Sequence, residues 1–204
     1  MLKALFTLPL LAFALAGAGP AASAQTAVGI LPPAEVAANL ANRLTIDLSN
    51  GGRVVIQLRP DAAPAHVARI QTLVRRGFYN GLKFHRVMPG FMAQGGDPKG
   101  DGTGGSELPD LKAEFTSLPY MRGVVAAARS DSPDSANSQF FIMFSPNVAL
   151  WGKYTVFGRV IAGMDAVDSI AVGEPPENPT TIVAATLGDT QAVPKTTDAL
   201  PNDG

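Results

Sequence analysis

Leu44, Ile46 and Leu48 alternate with polar neighbours, and Val54, Ile56 and Leu58 do so again after the turn residues Asn50-Gly51-Gly52. Period-two alternation on both sides of such a turn predicts a β-hairpin. Beyond Arg59-Pro60-Asp61 the period changes: Val67, Ile70 and Val74 share a helical face, Pro64 suits the first turn and Gly77 the exit. Short strand-like pieces then recur at 82–87, 91–94, 123–128, 139–144 and 155–160. A second helix is expected over Met164–Val172, where Met164, Val167 and Ala171 share a face, and a last strand over 181–187. This makes a mainly β domain of about eight strands with two helices, a closed antiparallel barrel or a sandwich, since closure removes the exposed edges of short strands.

The ends read differently. Lys3, the apolar run Ala4 to Ala18 and the small residues Ala22-Ser23-Ala24 have the order of a cleavable secretory signal over 1–24, with a mature start at Gln25. Pro9 and Thr7 weaken the same run as a membrane anchor. Residues 25–42 carry prolines and no convincing period, and 189–204 are polar, so both are expected as flexible segments around a domain at 43–188. The expected location is periplasmic or extracellular, with no membrane span in the mature form.

Charge and composition narrow the chemistry. The whole chain has a net charge of −1, and loss of Lys3 with the signal makes it more acidic, so nothing attracts nucleic acid. No cysteine is present, which excludes disulfides, thiolate nucleophiles and cysteinyl zinc sites. Two histidines nineteen positions apart offer no recognised metal spacing, and no serine sits in a G-x-S-x-G elbow. Gly100-Asp101-Gly102-Thr103-Gly104-Gly105 fits G-x-G-x-x-G by letters, but acids and no helical period follow it, so nucleotide binding is not expected.

The stretch from Phe84 to Asp97 sets one fixed cation and one amide, Arg86 and Gln94, among large apolar side chains, a mixture suited to a groove for a neutral peptide. It resembles the cyclophilin signature, and Ser138-Gln139-Phe140-Phe141-Ile142 repeats the resemblance further along. The likeness covers roughly Leu44 to Leu187. It implies a closed eight-stranded antiparallel β-barrel capped by two α-helices, and a peptidyl-prolyl cis-trans isomerase acting on proline-containing polypeptides, with no cofactor and no metal. A monomer is expected.

Rotation about an X-Pro bond must pass a barrier of about 18–20 kcal/mol set by amide resonance. It needs no nucleophile and no general base, only a site that holds the twisted amide better than either planar form. In the twisted state the nitrogen lone pair is localised and accepts a hydrogen bond, so a permanently charged donor acts selectively on the transition state. Arg86 is the candidate donor. The resemblance places Phe91, Met92 and Phe141 around the proline ring, with Leu150 at its wall, Gln94 holding a peptide carbonyl and the backbone of Ala128 fixing the residue before proline. Tyr154 and His85 complete the expected groove set, His85 as a strand residue that hydrogen-bonds locally and shapes the site.

Two stretches depart from eukaryotic relatives. Ala149 stands where a tryptophan would align and Tyr154 where a histidine would, and 129–137 replaces an asparagine-rich loop; both look bacterial in style. The alternative reading is a non-catalytic chaperone or assembly factor that binds proline-containing segments on the same fold. Retention of Arg86 and Gln94 argues against it, because a pure binder has no use for a transition-state donor.

Overall fold

The computed structural model describes residues 28–188; the expected signal at 1–24 and tail at 189–204 lie outside the described residues. The described residues form eight strands: β1 Arg43–Leu48, β2 Arg53–Leu58, β3 Arg86–Met88, β4 Met92–Gly95, β5 Val124–Ala127, β6 Phe140–Met143, β7 Val156–Ala162 and β8 Ile182–Leu187. They form one sheet in the order β3-β4-β6-β5-β7-β2-β1-β8, every ladder antiparallel. The hairpin β1–β2 pairs Leu44 with Ile56 and Ile46 with Val54, and Gly51 turns it with a left-handed φ of 84°.

The expected closed barrel is corrected to a curled sheet that stays open as a ladder. β3 and β8 are its two edges and do not pair along their length. The segment ahead of β3, expected as strand from residue 82, instead meets the β8 side through a single bridge, Lys83 to Thr181, flanked by Phe84 N–H donating to Thr180 O at 2.9 Å. Isolated bonds of this kind cover edge groups without a continuous ladder.

Three α-helices are described where the sequence predicts two: α1 Ala34–Ala38, α2 Pro64–Arg75 and α3 Met164–Asp168. α2 has Pro64 in its first turn, but Ala63 in front of it has no side chain to cap with. Glu114 does this from a distant loop, its carboxylate accepting from Ala65 N–H and His66 N–H at 3.0 Å each. α3 stops four residues short of Val172, because the Ser169 hydroxyl takes the Asp165 carbonyl at 2.8 Å and Ala171 N–H turns to the Thr180 hydroxyl at 3.0 Å.

Side-chain alternation divides the core in two. Ala93, Val125, Ala127, Phe140, Ile142 and Phe157 point into the main cluster, where Val67, Ile70, Leu73 and Val74 of α2 and Val167 of α3 pack. Their strand neighbours Met92, Val124, Ala126, Phe141, Met143 and Val156 point the other way into a second cluster. β5 and β6 are therefore buried along their whole length, which explains why they read as unbroken apolar runs.

Residues 28–42, expected as part of a flexible segment, carry α1 and a 3₁₀ turn at Leu40–Asn42 and are tied to the sheet. Buried Arg59 donates to Gly29 O at 2.7 Å and Ile30 O at 3.0 Å while forking onto Asp61. Gln57 Nε2 donates to Val36 O at 3.3 Å. These are side chain to backbone bonds from the sheet, which no periodicity in 28–42 announces.

Candidate active site

Strand register assembles the groove. Arg86 on β3 is the partner of Gln94 on β4, Gln94 of Phe141 on β6, and Phe141 of Ala126 on β5. Directly opposed residues of antiparallel strands project to the same face, so a cation, an amide and an aromatic ring stand in one row on the outer face. Met92 opposes Met143 in the next row. Phe91 follows the turn at Gly90, whose φ is 70°, and its carbonyl accepts from Phe144 N–H at 2.9 Å.

A cavity of about 110 Å³ lies over this row, lined by Arg86, Phe91, Met92, Gln94, Ala128, Arg129, Phe141, Leu150 and Tyr154. Eight of the nine sequence-derived groove residues are thus brought together. His85 is not among them. Expected as a strand residue, it stands one position ahead of β3 and is 5% exposed beneath the glycine-rich loop. The expected local hydrogen bond is made by its backbone, whose N–H donates to Gln94 O at 3.1 Å, while neither ring nitrogen has a partner among the described residues. Burial pushes this imidazole below its ordinary pKa, with Asp97 and Asp101 opposing and Arg86 adding to the shift.

Arg86 donates from Nε to Glu174 Oε2 at 2.6 Å; their side chains are 42% and 47% exposed. Gln94 donates from Nε2 to Gln139 Oε1 at 2.9 Å. Of Ala128's two backbone groups, the N–H is committed to Gln139 O at 3.0 Å. Tyr154 meets Phe141 edge to face with ring centroids 5.6 Å apart, and the Arg129 guanidinium lies 4.5 Å from the Tyr154 ring centroid. Arg129 is clamped by Lys153 O, Ser130 O and Asp131 O. Trp151 turns its indole to Ser117 O at 3.1 Å, outside the groove.

Three residues of this site are missed by the sequence reading. Gln139 had a signal, because it stands two positions before Phe141 and so shares its face. Arg129 stands next to Ala128 but had none beyond that adjacency. Glu174 had none, at a separation of 88 residues from Arg86. A larger cavity of about 430 Å³ adjoins the groove, sharing Gln94, Ala128 and Arg129 and continuing under Gly102–Ser106. Among the described residues no cluster of His, Asp or Glu could hold a metal ion, and no helix is long and apolar enough to cross a membrane.

Comparison with known proteins bears on what this groove does. The family model for cyclophilin type peptidyl-prolyl cis-trans isomerases matches residues 43–187. A probable peptidyl-prolyl cis-trans isomerase of Brucella suis is 52% identical over 167 residues, covering 74% of this chain and 85% of the relative. Peptidyl-prolyl cis-trans isomerase B of Bacillus subtilis is 40% identical over 129 residues, covering 62% of this chain and 89% of that protein. A crystal structure of a cyclophilin from Hirschia baltica superposes with a TM-score of 0.68 at 31% identity, covering 77% of each chain. A cyclophilin type isomerase from Cryptosporidium parvum, solved in the presence of the dipeptide Ala-Pro, gives 0.66 at 27% identity, covering 71% of this chain and 98% of that one.

Proposed function

The chain belongs to the cyclophilin-type peptidyl-prolyl cis-trans isomerases and is an enzyme of that activity, and from that premise we propose how its groove turns the bond and which proteins it serves. The observation that carries the mechanism is the register row Arg86, Gln94, Phe141 beneath one cavity.

The proline ring of a client enters the apolar slot made by Phe91, Met92, Phe141 and Leu150, which removes it from water. Gln94 holds a peptide carbonyl with its side-chain amide, and the Ala128 carbonyl, the backbone group left over there, takes the N–H of the residue before proline. Arg86 then faces the imide nitrogen. While the amide is planar, the nitrogen lone pair is delocalised and accepts nothing; as the bond twists, the pair localises and the guanidinium donates to it. A hydrogen bond to a charged donor contributes about 1.5–3 kcal/mol, or roughly 10- to 100-fold in rate. Exclusion of water and grip on the ring supply the remainder. No proton is transferred, which is why a buried histidine outside the groove is compatible with the reaction.

An isomerisation assay on an X-Pro peptide tests this by comparing the native chain with Arg86→Ala; equal rates would remove Arg86 from the mechanism. The clients are exported polypeptides, and the enzyme works in the periplasm or outside the cell. The pattern of Lys3, Ala4–Ala18 and Ala22-Ser23-Ala24 supports that reading. N-terminal sequencing of the protein from its own cells should find Gln25 first, whereas Met1 retained in the bulk of the protein would overturn the location.

A further inference from the structure

The glycine-rich run that imitates a nucleotide fingerprint is wound around a carboxylate. Asp97 is 1% exposed. Its Oδ1 accepts from Lys99 N–H at 2.8 Å, and its Oδ2 from Gly102 N–H at 2.6 Å and Asp101 N–H at 3.1 Å. Gly104 closes on it so tightly that a Cβ there would lie 2.1 Å from Asp97 Oδ1. On its other side the loop offers two carbonyls, Gly102 O and Gly104 O, and both accept from Gln139 Nε2, at 3.0 and 2.8 Å.

Two acceptors facing one end of an amide decide which end is nitrogen. Gln139 must therefore turn Oε1 away from the loop, and that oxygen accepts from Gln94 Nε2 at 2.9 Å. Each step forces the next. We infer that Asp97 is a positioning residue for the isomerase reaction: by pinning the loop carbonyls it sets the flip of Gln139, and through it the flip of Gln94, so that Gln94 keeps its oxygen and one N–H for the substrate. Without the carboxylate the two loop carbonyls lose their fixed direction, Gln139 gains a second orientation, and Gln94 divides its time between a productive and a reversed amide. Asp97 itself lines neither cavity.

The inference rests on Gln94 contacting the substrate, so its test includes that residue. Peptide isomerisation is measured for the native chain, Gln94→Ala, Asp97→Asn, Gly104→Ala and the double variant Asp97→Asn with Gln94→Ala, with circular dichroism as the check on folding. Asp97→Asn keeps the volume but turns an N–H₂ toward backbone donors, and Gly104→Ala pushes the loop off an intact Asp97. Each is expected to lose about 3- to 10-fold in kcat/KM, the share of one neutral hydrogen bond. Asp97→Asn should cost nothing further once Gln94 is alanine, whereas a merely structural role would give the same loss in both backgrounds. Native kcat/KM in either folded variant, or additive losses, overturns the inference. Native activity in Gln94→Ala would instead sink the reading of the groove. Should both loop variants fail to fold, hydrogen exchange of the side-chain amides in the native protein decides: protons of Gln94 and Gln139 exchanging as fast as those of an exposed glutamine would defeat it.

Discussion

Arg86 and Glu174 form an ion pair, Nε to Oε2 at 2.6 Å, between the first strand of the groove and the segment bridged to it at Val87 and Gly173. The pair uses Nε and leaves Nη1 and Nη2 with no acceptor among the described residues, and Arg86 lines the cavity. Replacing Arg86 by alanine is expected to lower kcat/KM by about 10- to 100-fold. Arg86→Lys should recover only part of this, because an ammonium on a flexible stem keeps the charge and loses the planar fork. Steady-state kinetics of both variants on one X-Pro peptide measures it; full recovery by lysine would show that charge alone suffices.

Glu174 is expected to act on the rate through Arg86, its ion-pair partner. Both side chains are more than two-fifths exposed, so the pair contributes at most about 1 kcal/mol to stability. Glu174→Gln should leave the melting temperature nearly unchanged while kcat falls about 2- to 5-fold, as the guanidinium gains rotamers that miss the imide nitrogen. Thermal unfolding and kinetics on the same sample separate the two effects, and a large fall in melting temperature would count against a role confined to the groove.

Much of this site is legible because β-structure has a period of two and a tight turn fixes register. Met88-Pro89-Gly90 is enough to fold Arg86 back toward Gln94, and the alternation in Phe140-Phe141-Ile142 is enough to send only the middle residue to the groove. Long-range partners have no such signal. Glu174, the cap that Glu114 gives α2, and the bonds from Arg59 to Gly29 and Ile30 join segments whose spacing follows no period. The closed barrel failed for a related reason: alternation defines the faces of strands and says nothing about whether the two outermost strands meet.

Arg129 holds the groove wall in place. Its guanidinium is fixed by three backbone carbonyls and covers the Tyr154 ring, which in turn packs on Phe141. Arg129→Ala removes the cation from the ring and the tether from the loop, a change of about 0.5–1 kcal/mol for the stacking alone at a partly exposed site. The expected result is a KM raised about 2- to 5-fold with kcat little altered, since the wall contacts ground and transition states alike. A fall in kcat at constant KM would instead give Arg129 a direct part in the twisted state.

The strap at the amino-terminal end should contribute to stability and not to rate. Arg59 is 4% exposed and its donors are divided among Asp61, Gly29 O and Ile30 O. Removing residues 25–33 would strip two acceptors from a buried cation, at a cost of about 1–3 kcal/mol each when water cannot replace them. Urea unfolding of a chain begun at residue 34 should show a clearly lower midpoint than that of one begun at residue 25, with kcat/KM of the folded proteins within about twofold of each other. An unchanged midpoint would mean that solvent satisfies Arg59 fully.

Two buried histidines give the stability a pH dependence of definite sign. Burial lowers the His85 pKa against the pull of Asp97 and Asp101, and burial lowers that of His66 although Glu114 lies 2.6 Å from its Nδ1. His66 Nε2 and both His85 nitrogens are buried without partners, so the charged ring would carry an unsatisfied N–H in each case. Both groups thus titrate lower in the folded protein than in the unfolded chain, and between those values the unfolded chain binds more protons. Stability is therefore complete above the unfolded value of about 6.5. It declines as the pH falls below that value and levels off once the folded-state values are passed. Carboxylates titrate mostly lower, which leaves the window from about pH 7.5 to about pH 5.5 to the histidines. Urea midpoints should fall across it, and His85→Leu should flatten the slope; a midpoint that rises on acidification would refute the neutral, buried state assigned to these rings.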